Sequence, residues 1–337
     1  MHAFPPTFVL SLDTELLWGS FDHTSDEAFA ASHPNLRGVT GDILSLLEEF
    51  DVSATWAVVG HLFLASCERG PDGRAHPTLA RPAPSPSFPT DWFARDPCAG
   101  RDQAPFWYGD DLLDLIASCR VPQEIGSHSF SHMSFGPGCP AEAAESDVAE
   151  CVRLATARGI ELRSFVFPRN VVGRVDVLAR RGFTSFRGED PTWYQPLRGT
   201  AKRVARLLDL AFCMTPPVTV PIEVVPGVYD IKGSMLLLYR VGPYRAVLVR
   251  ARIAKARRGL RRAVERGGVF HLWTHPENFA ADRQAMLAAL RGILVEVAGR
   301  RDRGELRVMT MGQLARAMPS RHEATLTTAR ALGQPRN

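Results

Sequence analysis

Two rhythms of apolar and polar positions alternate along this chain. Short apolar runs with strand character recur as "TFVLSLD", "SATWAVV", "QEIGSH", "LRSFVFP", "GFTSF", "IEVVP", "GVFHLW" and "ELRVMTM". Between them, apolar residues return at helical spacing. Ile43, Leu44, Leu47 and Phe50 mark one helix, with Thr40 as its expected cap. Asp110 opens another, carrying Leu112, Leu113 and Ile116. A long helix follows Pro140, at or near the first helical position, and ends near Gly159. Further helices are expected at about Val175 to Ala179, Ala201 to Leu210, Arg245 to Arg266, and after Asp282. Strand–helix alternation of this length implies a parallel sheet, open or closed into a barrel.

Two stretches break the rhythm. Residues 70–108 are rich in Pro, Gly and Asp, yet carry Trp92, Phe93, Phe106, Trp107 and Tyr108. So many aromatic residues fit an ordered, lid-like loop better than disorder. The tail, residues 319–337, has little apolar periodicity and is expected to be mobile. Residues 1–318 are then the barrel, with 70–108 inserted.

Composition narrows the class. The 337 residues are 45% hydrophobic and 23% charged, as in a soluble chain with a sizeable core. Six cysteines form no CxxC pair, so neither a zinc ribbon nor a disulfide framework is indicated, and reduced thiols in a cytosol are the simplest reading. "MHAFPPTFVLSLD" does not read as a secretory signal, and no apolar run is long enough for a bilayer. The expected location is cytoplasmic, with a peripheral place at the inner membrane left open.

Charge is local. Residues 245–266 hold nine basic residues and one acid, more than the whole net charge of +4, so the remainder is net acidic and specific nucleic-acid binding is not indicated. Val249, Ile253, Ala256, Leu260 and Val264 would face the core there. The basic face is either simply solvated or weakly attracted to anionic lipid or a polyphosphate-linked substrate.

Candidate chemistry sits where strands end. Asp13 and Glu15 close the first strand; two apart, they point the same way. His128 and His132 follow "EIG", four apart, and His275 follows "GVFHLW". Alone, the acidic pair reads as a capping carboxylate and the histidine pair as core imidazoles. Together, two imidazoles and a carboxylate with open positions make a zinc-type catalytic site. His271, His61, His76 and His33 lack a partner motif and read as structural. In "RGEDPTW" a turn followed by a packed Trp193 is the simpler reading of Glu189, Asp190 and Trp193.

"SLDTE", "HSFSH", "FVFPRN" and "HLWTH", in this order between residues 11 and 275, resemble the polysaccharide deacetylase family, the NodB-like carbohydrate esterases. "FPRN" with "HLWTHP" is most similar to a bacterial subgroup tied to surface polysaccharides. The resemblance implies a distorted (β/α)7 barrel and removal of an N-acetyl group from an amino sugar. It makes Asp13 the general base, His275 the general acid, and Glu15, His128 and His132 the holders of a divalent metal, zinc being the ion implied. It also implies that Arg169 either orients Asp13 or contacts substrate, with Pro168 and Asn170 beside it. Trp18 and Trp273 either stack on the sugar or pack. Thr14 separates the two carboxylates, unlike the family's adjacent aspartates, so their roles stay exchangeable. Two alternatives remain: another C–N hydrolase on the same barrel, acting on a cyclic amide or imide and free of metal, and a non-catalytic partner in polysaccharide assembly. The oligomeric state is not legible.

Overall fold

The structure, a computed structural model, describes residues 4–84, 88–212, 218–238 and 245–318. Its strands are β1 (Thr7–Thr14), β2 (Thr55–Val58), β3 (Glu124–Ser127), β4 (Ser164–Val166), β5 (Ser185–Arg187), β6 (Ile222–Val225), β7 (Val228–Asp230), β8 (Met235–Leu236), β9 (Val269–Thr274) and β10 (Arg307–Val308). They form one sheet in the order β6-β7-β5-β4-β3-β2-β1-β9-β8, with β10 added to β1. The run from β7 to β9 is parallel throughout, and β6 is the antiparallel edge. All eight residues of β1 are buried, which is why its sequence is apolar without alternation.

Register places the chemistry. Thr14 lies opposite Val58 and Val58 opposite Ser127, so β1, β2 and β3 end level with one another. Thr274 lies opposite Leu12, which brings the residue after β9 to the height of Asp13. Asp13, Glu15, His128 and His275 therefore leave the sheet at one edge.

Several local expectations change. The second helix spans Leu36–Glu49 with Asn35 at its N-cap, so Thr40 is internal and its hydroxyl donates to Leu36 O. β7, β8 and the helix Met311–Arg316 were not anticipated. Strands of two or three residues are too short for periodicity. The helix did carry a signal, since Thr310 and Gln313 form a capping box.

The basic helix Arg245–Arg266 buries Ala256 and Leu260 and half-buries Ile253 and Val264, while the Val249 side chain lies outside the described residues. Its polar face is not all solvated: Arg252 and Lys255 turn inward, and Lys255 Nζ donates to Asp209 at 2.6 Å. The helix packs against Arg283–Asp302 on one side and Gly199–Phe212 on the other, which widens its buried stripe. Trp193 is 42% exposed rather than packed. In the insertion Phe88, Phe93, Trp107 and Tyr108 are buried in the same core as the barrel. Residues 319–337 lie outside the described part. Among the described residues no helix is long and apolar enough to cross a membrane.

Candidate metal centre and acid–base site

Glu15 leaves β1 into a 3-10 turn, Leu16–Gly19, and its carboxylate enters a ring of imidazoles. Its Oε1 lies 2.9 Å from His128 Nε2, 3.3 Å from His132 Nε2 and 3.5 Å from His275 Nε2. Burial works to raise its pKa, but His132, His275 and His128 hold it well below the usual carboxylate range. A methyl group at Gly19 would collide with this carboxylate, so only glycine leaves it room.

His128 and His132 come from the loop after β3. His128 Nδ1 lies 2.8 Å from Val166 O, which turns Nε2 toward Glu15 Oε1 at 2.9 Å. His132 is buried, and neither of its ring nitrogens has a hydrogen-bond partner. Burial lowers its pKa, so the ring is held neutral. Ser129 and His132 both adopt left-handed backbone, with φ of 66° and 56°. Asp147 fixes that loop by accepting from Phe130 N at 2.7 Å, Ser131 N at 3.1 Å and Ser131 Oγ at 2.9 Å. Gly60 N donates to Ser129 O at 2.7 Å, an approach that a Cβ at Gly60 would obstruct against Cys151 and Phe130.

Two buried imidazoles beside one carboxylate suit a divalent cation, and this donor set fits zinc. Glu15 is the carboxylate within 3.3 Å of both rings.

Asp13 stands beside that group with a different partner. Arg187, buried in β5, donates to both of its oxygens at 2.6 Å, and also to Ser11 Oγ and Asn170 Oδ1 at 3.0 Å. Burial would raise the Asp13 pKa, but this bidentate pair lowers it below the ordinary value. The arginine that orients Asp13 is thus Arg187, not Arg169. Arg169 lies in the turn Pro168–Asn170 with a φ of 58°, and its guanidinium pairs with Asp22. Pro168 is buried beneath it, and Asn170 reaches the site through Arg187.

His275 Nε2 lies 3.7 Å from Asp13 Oδ2. Burial opposes its charge, yet Glu15 and Asp13 raise its pKa to about 9. His271 is the opposite case: burial lowers it to about 3, and it packs as a neutral ring 2.9 Å from Ser11 Oγ.

The tryptophans differ. Trp18 is fully buried, its Nε1 donating to Trp107 O at 3.2 Å, so it is not available to stack on a sugar. Trp273 lies under the Arg187 guanidinium, 4.1 Å from its carbon, and donates to Asp190 at 3.0 Å. Burial raises Asp190 to about 6. Trp273, Asn170, Asp190 and Arg169 line one side of a cavity of about 1150 Å3 that opens beside the site. Glu277, overlooked in the sequence, accepts from Leu16 N at 2.8 Å, and burial with Glu15 nearby raises it to about 7. Its signal was its place two residues after His275.

No family model matches the chain. No curated protein matches it either. Solved structures do, at low identity. A protein assigned as a polysaccharide deacetylase from Mycobacterium smegmatis superposes with a TM-score of 0.57 at 17% identity, over 98% of this chain and 92% of that one. Puue allantoinase gives 0.50 at 12% identity, over 92% and 88%. The 4-alpha-glucanotransferase of Thermococcus litoralis gives 0.52 at 13% identity, over 95% of this chain but 41% of that one. The fold is therefore that of the NodB-type distorted barrel, and since these neighbours bear three different activities, the fold alone does not select one.

Proposed function

We propose that this chain, which has the polysaccharide deacetylase fold, is a metal-dependent hydrolase that removes an N-acetyl group from an amino sugar. The observation that carries this reading is Glu15 set between His128, His132 and His275, with Asp13 held separately by Arg187. Glu15, His128 and His132 would hold the ion. When bound there, it supplies a Lewis acid that polarises the acetamide carbonyl and acidifies water.

The chain's own groups complete the reaction. Asp13, kept ionised by Arg187, accepts the proton of the attacking water. Arg187 fixes both carboxylate oxygens, so that acceptor does not rotate away. His275, 3.7 Å from Asp13, donates a proton to the departing amine as acetate leaves. Trp273 and Asn170 place the adjoining cavity within reach of this pair. Arg169, Lys202, Arg203 and Lys255 also line it, which suits a phosphate-linked sugar such as a nucleotide- or lipid-bound precursor in surface-polysaccharide synthesis. Such a substrate fits a cytoplasmic protein working near the inner membrane.

The test separates roles. His128→Ala and His132→Ala should lose metal and acetate release together. His275→Ala and Asp13→Asn should keep the metal and lose ~10²–10⁴ in rate. Glu15→Ala should weaken metal binding; if Asp13→Asn strips the metal instead, the two carboxylates exchange roles. A wild-type protein that binds no metal, with active histidine variants, would sink the reading. It would favour hydrolysis of a cyclic amide without metal, the second reading, for which the likeness to Puue allantoinase is the supporting observation.

A further inference from the structure

A second group of metal-binding side chains lies apart from the strand-end site. His61 stands in the turn Gly60–Phe63 after β2, and Cys67, His76 and Asp96 come from the segment that follows. One donor atom from each lies within 4.8 Å of all the others. Cys67 Sγ is 3.9 Å from His61 Nε2, 3.8 Å from His76 Nε2 and 3.6 Å from Asp96 Oδ2. Asp96 Oδ2 is 2.9 Å from His61 Nε2 and 2.8 Å from His76 Nε2. A tetrahedral zinc, with bonds of ~2.3 Å to sulfur and ~2.0 Å to nitrogen or oxygen, sets edges of about 3.5 Å from sulfur and about 3.3 Å between the lighter atoms. The group is thus within about 0.5 Å of that tetrahedron on each of these edges.

Side-chain orientation argues the same way. His61 Nδ1 lies 3.0 Å from Trp107 O and so carries the ring proton. The side chains of His61 and Asp96 are both without solvent exposure. His61 Nε2 then faces Asp96 Oδ2. The other Asp96 oxygen, Oδ1, is already held by Cys98 N at 2.9 Å, which aims Oδ2 at the group. The bond to Trp107 O and the bond from Cys98 N are outer contacts of the kind that orient ligands in metal sites.

We propose that His61, Cys67, His76 and Asp96 form a closed, structural zinc site that fastens the segment after β2 to the barrel. Four protein donors, His61 and Asp96 buried and Cys67 and His76 half-buried, would fill a tetrahedral shell, which distinguishes this site from the one around Glu15. It also backs the histidine loop. His61 N donates to Phe130 O at 2.9 Å, and the rings of His61 and His76 lie 5.6 and 5.2 Å from that of Phe130.

The experiment uses the full chain carrying His128→Ala and His132→Ala, which removes the strand-end site. Metal analysis should still find one equivalent of zinc. Cobalt exchanged into it should give a thiolate-to-cobalt charge-transfer band, which no donor set without sulfur can produce. Adding Cys67→Ser should abolish the band. Zinc absorption spectroscopy of the double variant should show one sulfur at ~2.3 Å, a reading that does not require the serine variant to fold. A double variant that retains no metal, or a band that survives Cys67→Ser, overturns the proposal. Neither result bears on acetate release, so the reading of the strand-end site stands or falls separately.

Discussion

Arg187 sets the acidic half of the strand-end site. Its fork meets both Asp13 oxygens, and lysine cannot reproduce that geometry. Removing it should let burial raise the Asp13 pKa. The acidic limb of the pH–rate profile, expected below the ordinary carboxylate range while Arg187 is present, should then move to higher pH in Arg187→Met. A profile whose limb stays in place would show that Asp13 does not depend on Arg187. His275 gives a second residue-scale expectation. In the metal-free protein its pKa stands at about 9, because Glu15 and Asp13 outweigh burial. A divalent cation on Glu15 cancels that attraction, so imidazole NMR should find the His275 pKa falling on addition of zinc. An unchanged value would place the ion elsewhere. The motif residues were readable because strand ends gather chemistry: Asp13, Glu15, His128, His132 and His275 do converge. Arg187 was not, since an arginine in "GFTSFRGED" reads only as a strand residue, and the one beside Pro168 looked the better candidate. Nor was the group around Cys67, whose four members are spread over 36 positions, from 61 to 96, without a repeating interval.

Among the elements, the loop between β3 and the helix Ala141–Ala157 depends on the helix that follows it. Asp147 takes three hydrogen bonds from Phe130 and Ser131, between the two histidines. Asp147→Ala would leave buried donors without partners, each costing ~1–3 kcal/mol. Unfolding in denaturant should show a loss on the order of 3 kcal/mol, and zinc affinity should drop ~10–100-fold, as for other residues that orient ligands. An unaltered midpoint with unaltered affinity would mean that the loop holds its left-handed residues unaided. Helix and strand positions were largely legible because long amphipathic stretches and buried parallel strands have distinct periods. The exceptions have physical reasons. β7 and β8 have no measurable period. The basic helix buries Arg252 and Lys255 because it has helices on two sides, which its own sequence does not announce.

At the scale of the whole molecule, the question is whether the insertion moves as a lid or belongs to the barrel. Its sequence argued for order through its aromatic residues, and their contacts now give that order a magnitude. Trp107 packs edge-on against Trp18 at 5.1 Å, and Phe88 and Trp92 pack against Phe21 at 5.5 and 5.0 Å. Trp92 Nε1 donates to Ser131 O at 2.9 Å, which ties the insertion to the histidine loop. Burying a large apolar side chain contributes ~1.5–3 kcal/mol. Phe88, Phe93, Trp107 and Tyr108 together therefore contribute ~6–12 kcal/mol, comparable with the ~5–15 kcal/mol stability of a whole domain. Lifting the segment should thus cost about as much as unfolding the barrel. Native-state hydrogen exchange can decide this. The amides of Leu17, Asp96 and Trp107, each bonded to a carbonyl of the insertion, should exchange only with global unfolding, at the free energy found for β2 and β3. A hinged lid would release them in a cheaper, local opening. If they exchange at a free energy well below that of the strands, the shared core is not cooperative and the insertion is a separately moving part.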